Sequence, residues 1–261
     1  MIKKPPEILR IACLHVAPIP GDLAHNQRLV ETGLTVAARF KADWVLTPEL
    51  CTCGYAFAER IGTDWIAPQP DAWMRKIQRI SARFGLVVFL SHPERDPQDG
   101  RCYNAVSVFD HRGICIGKHR KISVIPGSES WATPGVNAVP LPTVPLKAGV
   151  LICADAYPDT WANRLKTQGA QLLVSPAAWG PGLYGPNGEW EQRTCETGLP
   201  LVVCNRTGKD VHLDFTDAES AVIKMGERLL SFTSPRSTVL IFDWDLIGQR
   251  PVSPAYQRIP L

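Results

Sequence analysis

Residues 148–175 read AGVLICADAYPDTWANRLKTQGAQLLVS, and this stretch decides the fold class. Residues 148–152 form an apolar run of strand length. Asp159 follows Pro158 and is expected to cap a helix reaching Gln168, and Gly169 supplies its stop. Residues 171–175 then form a second apolar run. Two short, continuously apolar strands joined through a helix point to a parallel pair with both sheet faces covered, hence a layered α/β protein.

The same rhythm runs outward in both directions. On the amino-terminal side, residues 8–16 are apolar and end at Pro18, Pro20 and Gly21. Asp22 opens a helix to about residue 41, and residues 44–47 form a buried strand ending at Pro48-Glu49. Asp71 caps a second helix, whose Trp73, Ile77, Ile80 and Phe84 share one face, and Gly85 ends it before a strand at 86–91. Residues 103–109 and 114–117 flank Asp110-His111-Arg112-Gly113, a hairpin signal. Downstream, residues 189–197 are expected to be helical and 201–205 a strand. Residues 221–223, 229–232 and 238–242 read as closing antiparallel strands around the turn Met225-Gly226-Glu227. With no repeat and no linker, residues 1–261 are expected to form a single domain, with 244–261 as a C-terminal tail.

Composition narrows the function classes. The 261 residues are 45% apolar and 20% charged, ordinary for a globular chain and unlike a disordered one. A net charge of +3 is too mild for a nucleic-acid footprint. No apolar run approaches membrane-spanning length, and Pro5, Pro6, Glu7 and Arg10 interrupt any signal-peptide core. The eight cysteines stand mostly inside apolar stretches, which suggests a reduced, cytoplasmic compartment.

Three polar residues stand where chemistry collects in α/β proteins, at the carboxyl ends of strands. Glu49 follows the strand at 44–47, Lys121 lies after the hairpin, and Cys153 ends the strand at 148–152. A thiol on a tight strand-to-helix turn is held out for attack, and the next backbone amide, that of Ala154, is free to meet an oxyanion. Each has a plainer reading. A free cysteine behind an apolar run is ordinarily a small core hydrophobe. Glu49 alone would pair with a surface cation, and the basic run at 117–121 would be a solvated face. The set, not any member, favours chemistry.

Three ordered segments carry a resemblance to the nitrilase superfamily of carbon–nitrogen hydrolases, in its amidase-like branch. Trp44-Val45-Leu46-Thr47-Pro48-Glu49-Leu50 with Gly54-Tyr55 resembles the family's glutamate motif. His119-Arg120-Lys121-Ile122, then Glu129 and Pro134-Gly135, is similar to its lysine motif and second glutamate. Residues 149–158 around Cys153, Ser175-Pro176-Ala177-Ala178-Trp179 and Cys204-Asn205-Arg206-Thr207-Gly208 resemble its cysteine motif and the segments after it. Departures are Ser123-Val124, where relatives often carry His-Leu, and Cys153-Ala154-Asp155, where nitrile-cleaving members carry Cys-Trp-Glu; these bear on substrate, not on reaction class.

The resemblance implies a four-layer α-β-β-α sandwich that pairs into a homodimer or higher homo-oligomer. It implies Glu49 as general base, Cys153 as nucleophile, Lys121 as electrostatic stabiliser and Glu129 as supporting carboxylate. The implied reaction is cleavage of a non-peptide C–N bond of a small linear amide or N-carbamoyl amine through a thioester, releasing ammonia or an amine. No metal or organic cofactor is implied, nor a nucleic-acid or membrane partner. An ordinary thiol is mostly protonated at neutral pH, so Lys121 is expected to favour the thiolate and Glu49 to take its proton. Tyr55, Ala154, Trp179 and Trp190 are the candidate substrate-binding residues. The alternatives are nitrile hydrolysis at the same site and a Cys–His thiol hydrolase, for which six histidines are available. A zinc or redox site at Cys51-Thr52-Cys53 is disfavoured by the one-residue spacing.

Overall fold

The computed structural model describes residues 7–261. In chain order the elements are β1 Ile8–His15, α1 Leu23–Arg39, β2 Trp44–Leu46, α2 Phe57–Ile61, α3 Ala72–Phe84, β3 Val87–Arg95, β4 Cys102–Phe109 and β5 Cys115–Arg120. They continue with β6 Ala148–Val150, a 3-10 turn Cys153–Ala156, α4 Asp159–Thr167, β7 Leu172–Ala177, α5 Glu189–Thr197 and β8 Leu201–Asn205. The chain closes with β9 Ser220–Lys224, β10 Glu227–Phe232, β11 Thr238–Asp245, β12 Arg250–Pro251 and β13 Gln257–Pro260.

These strands make two sheets. One runs β12-β11-β1-β2-β3-β4-β5 with β13 also on β11, and the other runs β10-β9-β8-β7-β6. The parallel pairs are β1–β2, β2–β3, β6–β7 and β7–β8, the ones joined through helices. Strand alternation sorts the side chains of β1. Leu9, Ile11 and Cys13 enter a core shared with Val150, Leu173 and Val202 of the other sheet. Ala12 and Leu14 face Val30, Leu34 and Ile77 of α1 and α3. Helices α4 and α5 cover the outer face of the second sheet through Leu165 and Trp190. The order is helices, sheet, sheet, helices, as the resemblance implied. Among the described residues no helix is long and apolar enough to cross a membrane.

Local signals explain the helix ends. Asp22 accepts from His25 N at 3.0 Å and Asp71 from Met74 N at 2.7 Å, and Gly85 ends α3 at φ +70°. Asp159 is the first helical residue of α4 and not its cap; Pro158 holds that position with no side-chain bond.

Two expectations are corrected. β9 and β10 form the hairpin around residues 225–226, but β11 leaves them and pairs antiparallel with β1 along its whole length, in the other sheet. Residues 244–261 are not a tail. Trp244 and Asp245 belong to β11, and β12 and β13 return to pair with it. Buried Tyr256, against Phe242 at 5.7 Å between ring centroids, pins this return to the core.

Candidate active site

Glu49 stands three residues past β2, Lys121 directly past β5, Cys153 at the head of the turn after β6, and Glu129 in the loop that follows β5. Glu49, Lys121 and Glu129 are fully buried. Lys121 Nζ donates to Glu49 Oε1 at 2.7 Å and to both oxygens of Glu129 at 2.8 and 2.7 Å. Asn104 Nδ2 from β4 bridges Glu49 Oε1 and Glu129 Oε1, each at 2.8 Å. The remaining carboxylate oxygens accept backbone amides, Glu49 Oε2 that of Ala178 at 3.0 Å and Glu129 Oε2 that of Ile125 at 2.9 Å. Ala178 also brings its carbonyl oxygen to 3.9 Å from Cys153 Sγ, so one residue touches both the acid and the thiol.

The backbone carries this arrangement. Cys153 adopts φ +46° and Leu50, next to Glu49, φ +49°; non-glycine residues in this region cost on the order of 1–3 kcal/mol and persist where packing enforces them. The first amides of a helical turn lack partners within it, which leaves the Ala154 amide beside the sulfur available to a ligand. Asp155, two residues on, joins the lysine and cysteine segments. Its Oδ1 accepts Ile122 N and Ser123 N at 2.9 and 2.7 Å, and its Oδ2 takes Ile152 N at 3.0 Å and His119 Nε2 at 2.8 Å. Gly135 N donates to Lys121 O at 2.7 Å, and a Cβ at Gly135 would meet Arg120 O at 2.3 Å, so only glycine fits there.

Electrostatics follow from two carboxylates sharing one buried ammonium. Burial and the neighbouring Glu129 raise the Glu49 carboxyl to about 7 against the pull of Lys121. Burial alone would lower Lys121, but Glu49 and Glu129 hold it well above the ordinary lysine range. Burial, then Glu49, push the Cys153 thiol well above its usual range, and Lys121 only partly offsets this. Lys121 acts in the direction expected of it, favouring the thiolate, but its charge is shared with two carboxylates and does not outweigh burial. Burial would raise Asp155, yet its bond to His119 and the backbone amides hold it below the usual carboxylate range.

Cys153 opens on a cavity of about 310 Å³ also lined by Tyr55, Ala154 and Trp179. Three of the four candidate binding residues thus meet at the site. Trp190 does not. It is fully buried on α5 and packs edge-on against Trp179 with centroids 5.0 Å apart, and Trp179 packs likewise on Tyr157 at 4.8 Å. No histidine lines the cavity among the described residues, and His119 is spent on Asp155. Cys51 and Cys53 are buried in the core, and no three His, Cys, Asp or Glu side chains among the described residues are gathered to hold a metal ion.

The sequence profile of the carbon-nitrogen hydrolase family matches residues 10–250, nearly the whole chain. The chain belongs to the carbon–nitrogen hydrolase family. It is a hydrolase of non-peptide C–N bonds, of the nitrilase superfamily's amidase-like branch. It is 30% identical to the omega-amidase NIT2 of Danio rerio over 274 aligned positions, covering 97% of this chain and 92% of that protein. It is 26% identical to a citrullinase of Francisella tularensis, covering 74% and 72%. The fold matches that of an amidase from Nesterenkonia sp. with a TM-score of 0.79 at 23% identity, over 91% of this chain and 90% of that one.

Sequence reasoning had not singled out Asn104, Asp155, Tyr157, Leu213 or Phe215 within this carbon–nitrogen hydrolase site. Asn104 carried a usable signal, an amide at the head of an otherwise apolar strand, where a buried polar group must find partners. Leu213 and Phe215 lie in the loop between β8 and β9, and nothing local marks them.

Proposed function

We propose that this chain hydrolyses small linear amides or N-carbamoyl amines through a covalent thioester on Cys153. One observation carries the reading: a buried thiol on a strained turn, at the wall of a half-open apolar cavity, with Ala178 bonded both to it and to Glu49 of the buried Glu49–Lys121–Glu129 cluster.

Cys153 passes its proton to Glu49 as the sulfur attacks the substrate carbonyl carbon. The transfer moves a proton within the cluster and creates no new net charge in the apolar interior, which matches the depressed acidity of the thiol and the raised carboxyl of Glu49. Charge gathering on the carbonyl oxygen is assigned to the Ala154 amide, a donor worth about 3 kcal/mol, with the charge of the Lys121 ammonium acting on it through space. Protonated Glu49 gives its proton to the departing nitrogen, and ammonia or an amine leaves with the C–N bond broken. Glu49 then takes a proton from water, the hydroxyl adds to the thioester, and the acid departs as the thiol is restored. Glu129 and Asn104 hold Lys121 in place throughout.

Ammonia release from a panel of short amides, carbamoyl amines and nitriles tests this directly. Cys153→Ala is expected to abolish turnover with the melting temperature unchanged, and wild-type protein is expected to form an acyl adduct on Cys153 seen by mass spectrometry. Turnover by the alanine variant, or nitriles turned over in place of amides, overturns the reading. The family likeness also supports a homodimer; sedimentation at micromolar concentration checks it, and a monomer removes it.

A further inference from the structure

The wall of the cavity beside Cys153 carries no charge. Among its lining residues there is no Asp, Glu, Lys, Arg or His; the surface is made by side chains such as Ile125, Tyr157, Trp179, Leu213 and Phe215. The ionic groups nearby are already consumed. Lys121 spends its three donors on Glu49 and Glu129. Arg206, fully buried, pairs with Asp210, donates to Pro18 O at 3.0 Å and lies 4.5 Å over the ring of Phe215. The polar groups on the wall are paired too, Tyr55 Oη with Ser128 Oγ at 3.1 Å and Tyr157 Oη with Tyr184 O at 2.8 Å.

We infer that the acyl portion of the substrate is short, apolar and uncharged, and that Leu213 and Ile125 help set this preference. The inference rests on the amide-hydrolysing reading above and narrows it. A carboxylate or ammonium on the tail would lie along a wall without a counter-ion and give up its hydration on that side. A cavity of about 310 Å³ lies at the small end of ligand pockets and suits a short acyl chain. Charged side chains first appear on a wall in the adjoining cavity of about 430 Å³, which shares Tyr55, Ser128 and Leu213 with this one and holds Glu59 and His212, 3.2 Å apart. A charge near the reacting carbonyl is therefore rejected, whichever its sign.

The experiment is a kcat/KM series on the wild-type chain. Acetamide, propionamide, butyramide and pentanamide form the neutral ladder, with succinamic acid, glutaramic acid and 4-aminobutyramide as charged counterparts of similar length. Along the ladder kcat/KM is expected to rise roughly fourfold per methylene. The charged amides are expected to fall about 100-fold or more below neutral ones of the same length, since a site offering no partner leaves a buried polar group unpaired. Leu213 is half-exposed and outside the catalytic cluster, so Leu213→Arg leaves the fold intact. It is expected to shift the ratio of glutaramic acid to pentanamide at least tenfold toward the acid. Charged amides turned over as well as neutral ones would overturn the inference and leave the amidase reading standing. An unchanged ratio in Leu213→Arg would remove Leu213 from the acyl wall. Inertness toward every amide would overturn the reading beneath it as well.

Discussion

Replacing Lys121 by methionine keeps the length and volume of the side chain and removes the one cation between Glu49 and Glu129. The three hydrogen bonds from Nζ, all between 2.7 and 2.8 Å, disappear. Each carboxylate keeps only Asn104 and one backbone amide. Oxygens that both lie 2.7–2.8 Å from Nζ are at most about 5.5 Å apart, and two ionised carboxylates at that distance repel by about 3 kcal/mol at an effective dielectric constant of 20. Stripping one partner from a buried ion pair costs about 3–5 kcal/mol on measured precedents, and the two figures agree. The protein relieves this by keeping a proton on one carboxyl. The folded variant then holds a proton that the unfolded chain has lost above about pH 5, so its stability falls as pH rises. At about 2–4 °C per kcal/mol for a chain of this size, the melting temperature is expected to drop by roughly 10–15 °C at pH 8 and by clearly less at pH 5.5. Thermal melts of both proteins at the two pH values measure this, and ammonia release measures the accompanying loss of kcat, at least about 100-fold for a lost oxyanion partner. An equal melting temperature at both pH values, or turnover within threefold of wild type, would refute the electrostatic account of the cluster.

The raised carboxyl of Glu49 sets the pH profile of the wild type. As a base it must be ionised, so kcat/KM is expected to rise with pH through about 7 with unit slope, and a pH-rate series that is flat between 5.5 and 8 contradicts the assignment. The same shift bears on stability: the Glu49 proton contribution is fully present below about 4.5 and is lost as pH rises through about 7. Asp155→Asn puts an amide group against donors from Ile152 and His119 or Ile122 and Ser123, loosening the lysine segment from the cysteine turn. Its kcat is expected to fall about 100-fold with KM nearly unchanged, which steady-state kinetics resolve; a KM effect alone would make Asp155 a pocket residue. Trp190→Ala removes a fully buried ring behind Trp179 and is expected to cost about 3–5 kcal/mol in chemical denaturation, whereas Trp190→Phe keeps kcat/KM within about threefold. A loss of kcat/KM in Trp190→Phe at unchanged stability would restore Trp190 to the substrate.

What the sequence determined by itself is what local chemistry dictates. Asp22 and Asp71 cap their helices because a carboxylate there meets free amides, and Gly85 ends one because only its conformation is cheap. Apolar runs such as 171–175 are strands between covered faces because nothing else buries so many consecutive side chains. Glu49, Lys121 and Cys153 were visible as strand-end residues, a placement fixed by the hydrophobic pattern around them. Only the tertiary structure decided which strands meet. β11 left its hairpin neighbours for β1, because pairing across more than 200 positions leaves no periodicity to read, and residues 244–261 folded back onto β11 as edge strands. It likewise decided that Asn104 ties two glutamates together and that Asp155 ties two motifs. It put Trp190 behind the pocket wall and Leu213 on it. Burial and partner are properties of the packed whole: a tryptophan or a carboxylate reads the same in the chain whether its neighbour in space is a ligand or another side chain.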